Sequence, residues 1–267
     1  MKLIFLGDIC GRPGRETVAE TVPQWKAEHQ PDLIIANAEN AANGTLPQPK
    51  HLEELQSAGV DAFTVGDHVR DRDFSTLERF PIVRPANLKD PLPGVGYRVV
   101  ESATHGRLGL MSLLGNAFVK LESTNYYQAA DALVKQAEAD GVDATLLDIH
   151  AEVTSEKNSL GFYLDGRLSA VVGTHTHVPT ADTKLLPHGT AYQSDIGMCG
   201  GLDSVLGFTP QAARLWLGRE LGEDVGKVPF DMAEGPAICD AVLIETDGPT
   251  KSQSIRRLTT RPGPIHT

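Results

Sequence analysis

Residues 32–40 read Asp-Leu-Ile-Ile-Ala-Asn-Ala-Glu-Asn. A short apolar run bounded by polar residues predicts a buried strand over Asp32–Asn37, and that strand delivers Glu39 and Asn40 to its C-terminal end. The pattern recurs on either side. Leu3–Leu6 predicts a strand ending at Gly7-Asp8, and Asp61–Val65 predicts another ending at Gly66-Asp67-His68. Between them, Arg15–His29 carries a helical pattern that Pro23 should kink or divide. Pro49–Ala58 reads as a helix with Gly59 as its stop. Strands alternating with helices predict a largely parallel sheet with ligand groups along its C-terminal edge.

The rest of the chain continues this order and then changes it. Arg107–Leu114 predicts a strand, and Ser123–Ala139 a helix capped at Ser123 or Thr124. Ala144–Ile149 predicts a strand that delivers His150. Tyr163–Leu168 reads as strand, tight turn and strand. Ser169–Val172 leads into Gly173-Thr174-His175-Thr176-His177. Two hairpins follow, one over Lys184–Tyr192 and one joining Ala237–Glu245 to Ser252–Thr259. Hairpins after a βαβ half predict an α/β fold of two mixed sheets. Residues 200–235 are glycine-rich and hold one helix, with Thr209 as cap and Pro210 as first residue. That segment reads as an active-site lid, an oligomer contact or a surface connection. Its apolar residues Leu202, Val205, Leu206 and Phe208 suit either a partner chain, favouring a homo-oligomer, or the core. No linker or repeat divides the chain, so a single domain over 1–267 is expected.

Composition narrows the class. Of 267 residues, 40% are hydrophobic, which suffices for a core and argues against disorder. Lys and Arg number 24 against 35 Asp and Glu, a net charge of −11. That argues against a nucleic-acid coat but permits a nucleotide substrate, because bound cations invert the local field. Three scattered cysteines, Cys10, Cys199 and Cys239, form no disulfide framework or zinc motif and read as free thiols. No stretch approaches the roughly 20 apolar residues of a membrane span, and Leu3–Leu6 is too short for a signal-peptide core. A cytoplasmic protein with no membrane partner is expected.

Chemistry concentrates at the strand ends: Asp8, Glu39 and Asn40, Asp67 and His68, His150, His175 and His177. Taken singly, Asp8 reads as a turn or cap residue, Glu39-Asn40 as a loop start, and His68 as an ordinary half-buried histidine. His175 and His177 share a strand face. Jointly they are a donor set of carboxylates and imidazoles without thiolates, which suits iron, manganese or zinc. So many ligands exceed one ion's coordination shell. Two ions sharing a carboxylate are the natural count, and such pairs serve in-line phosphoryl displacement. Glu39 suits the bridge, with a long arm and a central place in strand order. Arg12, Arg15 and Arg70 near these loops read as solvated surface.

The series Gly7-Asp8-Ile9-Cys10-Gly11, Asn37-Ala38-Glu39-Asn40, Gly66-Asp67-His68, Asp148-Ile149-His150-Ala151-Glu152 and Gly173-Thr174-His175-Thr176-His177 resembles the calcineurin-like metallophosphoesterases. Thr154-Ser155-Glu156-Lys157 and Ser194-Asp195-Ile196-Gly197-Met198 narrow the resemblance to the YmdB-like branch. The resemblance implies a four-layer α/β/β/α sandwich of two facing mixed sheets. It implies a centre of two metal ions, iron (Fe2+/Fe3+) or Mn2+. One ion would be held by Asp8, Glu39, Asn40 and His177, the other by Glu39, Asp67, His150 and His175, with His68 as proton donor. It further implies phosphodiester hydrolysis, notably of 2′,3′-cyclic nucleotides to 3′-nucleotides, a small nucleotide substrate, and a link to RNA turnover.

Two positions depart from the wider pattern. Cys10 stands where the superfamily usually has histidine, as in the YmdB-like branch, and reads as a packed thiol. Asp67 stands where the family motif has asparagine. A carboxylate there should hold a cation more tightly while lowering its Lewis acidity.

Overall fold

The computed structural model describes residues 1–103, 105–229 and 231–262. The strands in the first half are β1 (Lys2–Leu6), β2 (Asp8–Ile9), β3 (Leu33–Asn37), β4 (Ala62–Thr64), β5 (Ile82–Val83), β6 (Tyr97–Glu101) and β7 (Arg107–Leu114). Those that follow are β8 (Ala144–His150), β9 (Ala170–Thr174), β10 (Lys184–Leu185), β11 (Ala191–Gln193), β12 (Met198–Gly201), β13 (Ala237–Thr246) and β14 (Ser252–Thr259). The helices are α1 (Gly11–His29), α2 (Pro49–Ala58), α3 (Tyr126–Asp140), α4 (Thr154–Tyr163) and α5 (Pro210–Glu220).

Two mixed sheets result. One runs β2-β12-β13-β1-β3-β4-β5, with β14 also on β13; the other runs β10-β11-β9-β8-β7-β6. The segment β1-β3-β4-β5 is parallel, as the βαβ reading predicts, and β13 pairs antiparallel with β1.

Side-chain alternation sets the layers. On β1, Ile4 and Leu6 pack with Val18, Val22 and Trp25 of α1 and Leu52 and Leu55 of α2. Leu3 and Phe5 point the other way, onto Leu108, Leu110, Leu146 and Val172 of the second sheet. The far face of that sheet, with Met111, Leu113, Leu147 and Ile149, meets Leu133, Val134 and Ala137 of α3 and Leu160 of α4. Helices, sheet, sheet and helices stack in that order, the α/β/β/α arrangement expected.

Several local expectations are corrected. Helix α1 starts at Gly11 and passes Pro23 undivided, because burial of Val18, Val22 and Trp25 outweighs the hydrogen bond that proline forfeits. Helix α3 starts at Tyr126, with the Asn125 side chain accepting from the N–H groups of Tyr127 and Gln128. Ser123 instead donates to the Gly115 carbonyl. Tyr163–Leu168 is no hairpin. Tyr163 ends α4, and the chain turns at Gly166 with φ 79°, because Leu160 and Leu164 bury on the second sheet at helical spacing. In residues 200–209, Val205 and Leu206 are exposed while Leu202 and Phe208 are half-buried.

Candidate metal centre

The parity that builds the inter-sheet core also builds the site. On β8, Ala144 and Leu146 face the opposite sheet, so Asp148 and His150 project from the same face at its C-terminal end. On β3, Leu33 and Ile35 place Asn37 there; on β4, Ala62 places Thr64; on β9, Ala170 and Val172 place Thr174. Polar side chains thus cap one end of the apolar layer. All five are buried.

One group of ligands gathers around His150. Single donor atoms of Glu39, Asp67, His150 and His175 lie within 4.8 Å of one another. His150 Nε2 is 2.9 Å from Glu39 Oε1, 3.2 Å from Asp67 Oδ1 and 2.9 Å from His175 Nδ1. The outer nitrogens are held from behind. His150 Nδ1 lies 2.8 Å from Thr174 Oγ1, whose hydroxyl donates to Asp148 Oδ1 at 2.7 Å. Thr64 and Asn37 donate to Asp148 Oδ2. A hydroxyl committed to Asp148 accepts from His150 Nδ1–H, which turns the lone pair of Nε2 toward the carboxylates. His175 Nε2 is 3.4 Å from Glu152 Oε2, with Nδ1 facing inward. Gly66 makes this approach possible: a Cβ there would fall 2.1 Å from His150 Cδ2 and 2.3 Å from Glu39 Oε2.

A second group adjoins it. His177 Nε2 lies 3.1 Å from the Asn40 amide and 3.7 Å from Asp8 Oδ1. His177 Nδ1 donates to the Leu206 carbonyl at 3.0 Å, again leaving Nε2 as the inward nitrogen. Asp8 reaches both groups, since its Oδ2 accepts the His175 backbone N–H at 3.2 Å. Cys10 is buried beside His177, its Sγ 3.5 Å from Nδ1, and burial followed by the charges of Asp8 and Glu39 pushes its thiol well up. Leu206, which the sequence offered as lid or contact surface, therefore forms part of the wall behind His177.

His68 stands apart from the ligand groups. It sits on the short 3-10 turn Asp67–Arg70, and its Nδ1 lies 2.7 Å from Asp71 Oδ2. Burial pulls its pKa down, but the charges of Glu39, Asp67 and Asp71 outweigh that and raise it. Nε2 is then the nitrogen available for proton transfer.

The residues fit a pair of cations. Asp8 Oδ1 and Glu39 Oε2 are buried with no hydrogen-bond partner among the described residues, a costly condition that a cation relieves. Without metal, protons take over part of that charge. Burial would lower the His150 pKa, but Glu39 and Asp67 override it and raise it well above 6.5. Asp67 is held well below the carboxylate range, burial being outweighed by bonds to His150 and His175.

Reading the sequence missed the clamp behind this site. His175 and His177 adopt φ 97° and 62°, the left-handed region that non-glycine residues avoid. Such strain persists where surroundings over-determine it. Here Lys157 of α4, fully buried, donates from Nζ to the Thr174 carbonyl and to Asp195 Oδ2, both at 2.8 Å. Asp195, also buried, accepts the N–H groups of Thr176 and Gly197 at 3.0 Å. The motif residues Lys157 and Asp195 are thus an internal ion pair that pins the histidine turn. Arg15 is a further correction. Its side chain is only 12% exposed and binds Glu54 and the Ala41 carbonyl, because α1 and α2 pack together around it.

A model of the YmdB-like protein family matches residues 4–258. The chain belongs to the YmdB-like family. Within it, the chain is 40% identical over 254 residues to the 2′,3′-cyclic-nucleotide 2′-phosphodiesterase of Bacillus subtilis (strain 168), covering 94% of this chain and 93% of that protein. A solved structure described as a novel phosphatase from Mycoplasma pneumoniae superposes with TM-score 0.85 at 32% identity, covering 97% of this chain and 92% of that one. A 5′-nucleotidase precursor from Thermus thermophilus shares the fold at 16% identity and TM-score 0.56, across 97% of this YmdB-like chain and 54% of the nucleotidase.

Two outcomes follow from this geometry. His150 must shed its proton to bind a cation through Nε2, so metal affinity should fall as pH drops below the raised pKa. The same shift means that its carboxylate contacts stabilise the metal-free protein below about 6.5 and weaken as pH rises through the raised value. Calorimetry in two buffers of different ionisation enthalpy should show protons released on metal binding; a pH-independent affinity without release contradicts the arrangement. Lys157→Met leaves Asp195 buried without its cation and should cost about 3–5 kcal/mol in urea unfolding. A loss under about 1 kcal/mol would show that the ion pair does not hold the turn.

Proposed function

We propose that this protein is a dinuclear-metal phosphodiesterase that hydrolyses nucleoside 2′,3′-cyclic phosphates to 3′-nucleotides, with iron or manganese as its ions. The observation that carries the reading is the convergence of Glu39, Asp67, His150 and His175 within 4.8 Å. The Asp8 and Glu39 oxygens that lack a hydrogen-bond partner among the described residues, and the activity named for the Bacillus subtilis relative, support it.

Asp8, Asn40 and His177 would hold one cation and Asp67, His150 and His175 the other, with Glu39 shared between them. The bound pair supplies charge that polarises the phosphate oxygens and makes water a usable nucleophile near neutral pH. The chain's own work is positional. Thr174 and Asp148 fix the His150 ring, the Leu206 carbonyl fixes His177, and Glu152 faces His175. As water adds to phosphorus, the bond from phosphorus to the ribose 2′ oxygen breaks, and that oxygen needs a proton. His68 supplies it from Nε2, while Asp71 on Nδ1 keeps the ring charged and aimed. The phosphate stays on the 3′ oxygen.

His68→Ala should lower kcat by about 10²–10⁴-fold with both metals retained, as measured by turnover of 2′,3′-cyclic AMP and by elemental analysis. An unchanged rate removes His68 from the role. Asp67→Asn exchanges a charged oxygen for a neutral one on the same cation. It should keep both ions and turn over at least as fast as the parent; loss of an ion would show that the carboxylate is required. Parallel assays on p-nitrophenyl phosphate and its bis ester separate the diesterase from a monoesterase, and no turnover of any of them by iron- or manganese-loaded protein contradicts the proposal.

A further inference from the structure

Beside the metal-site loops lies a cavity of about 690 Å³ with four basic side chains on its wall. Arg12, Arg15, Lys50 and Arg72 line it, against the acids Asp231 and Glu234. Arg12 pairs with Glu16 and Glu234, and Arg15 with Glu54. Lys50 and Arg72, both exposed, form no ion pair with a carboxylate among the described residues. Arg72 is instead oriented by the Leu46 carbonyl and the Thr45 hydroxyl. Glu16, Glu54 and Glu234 thus engage Arg12 and Arg15, and Lys50 and Arg72 are the lining cations left for a ligand, in a protein of net charge −11. His51, on the same wall, has its pKa pushed down to about 4, first by burial and then by the charges of Arg15 and Lys50. Neither α1 nor α2 has an acidic residue in the first turn that it presents to this wall.

The cavity and the metal site share their loops. Arg12 follows Cys10-Gly11, and Cys10 touches His177. Asn43, which lines the cavity, follows Asn40, and the Gly11 N–H donates to the Asn40 carbonyl at 2.9 Å. At about 3.8 Å per residue, Arg12 lies within about 8 Å of Cys10 and Asn43 within about 11 Å of Asn40.

We infer that this cavity is a phosphate subsite, which holds a second phosphate while the first is at the metals. The inference rests on the proposed function and deepens it. The enzyme then favours the 2′,3′-cyclic ends of short oligoribonucleotides over cyclic mononucleotides, because only the former carry a second phosphate for Lys50 and Arg72 to bind. Arginine forks and a lysine suit phosphate oxygens.

The test uses manganese-loaded full-length protein and two substrates that differ only beyond the scissile group: a nucleoside 2′,3′-cyclic phosphate, and a 5′-phosphorylated dinucleotide ending in the same cyclic phosphate. For the parent, kcat/KM should be higher on the dinucleotide. Lys50→Ala and Arg72→Ala should each shrink that ratio, about tenfold or more for the pair. Equal loss on both substrates, or an unchanged ratio, overturns the inference. Added pyrophosphate separates the substrate's own phosphate from a free one: competition with the dinucleotide alone supports the former. Pyrophosphate that alters mononucleotide turnover in the parent and not in the double variant identifies a free phosphate effector at the same cavity. If neither substrate is turned over, the functional reading fails first, and the cavity is judged by fluorescence anisotropy of a 5′-phosphorylated oligoribonucleotide. Its log–log salt slope should flatten by about 0.7 for each phosphate contact removed by Lys50→Ala or Arg72→Ala. An unaltered slope overturns the subsite as well.

Discussion

Asp8 and Glu39 are 0% and 1% exposed, and each keeps a carboxylate oxygen with no hydrogen-bond partner among the described residues. Buried charge of this kind is tolerated only when an opposite charge meets it. His150 meets part of it, its Nε2 2.9 Å from Glu39 Oε1 and its pKa raised by that carboxylate. The remainder fits cations, and much of the surrounding structure serves to keep the carboxylates where cations can reach them. Gly66 leaves room for Glu39 and His150 to meet. Asp148 and Thr174 turn one imidazole, and the Leu206 carbonyl turns another. Lys157 and Asp195 hold the backbone between His175 and His177 in a conformation it would otherwise leave.

Where the chemistry follows from local pattern, the sequence was legible. Strand ends at Asp8, Glu39, Asp67 and His150 emerge from short apolar runs, and the two sheets from the change between crossover and hairpin order. What stayed hidden depends on pairing across distance. Lysine is ordinarily solvated, so nothing local to Lys157 announces that Asp195, on another element, takes it fully inside. Helix α4 was missed because Thr154–Tyr163 has few apolar residues to mark a face, and Leu160 and Gly161 bury without a strong period. Arg15 looked like surface because its partners, Glu54 and the Ala41 carbonyl, come from elsewhere in the chain. Asn125 displaced the hydroxyl caps considered for α3 because its side chain reaches two helix N–H groups at once.

An acidic pocket and a wall with two cations free of carboxylate partners among the described residues meet across the loops after β1 and β3. The acidic pocket calls for cations; the cavity lined by Lys50 and Arg72 calls for an anion. The hydrogen bond from Gly11 to Asn40 ties the two loops together between them. A substrate with more than one phosphate would engage both.

The proposed chemistry requires strand-end carboxylates and imidazoles to hold two cations around one shared carboxylate. Anomalous diffraction from crystals of manganese-loaded protein tests it most directly. Two peaks about 3.5–4 Å apart are expected, with Glu39 between them, Asp67, His150 and His175 around one, and Asp8, Asn40 and His177 around the other. A single peak, or peaks away from Glu39, would contradict it.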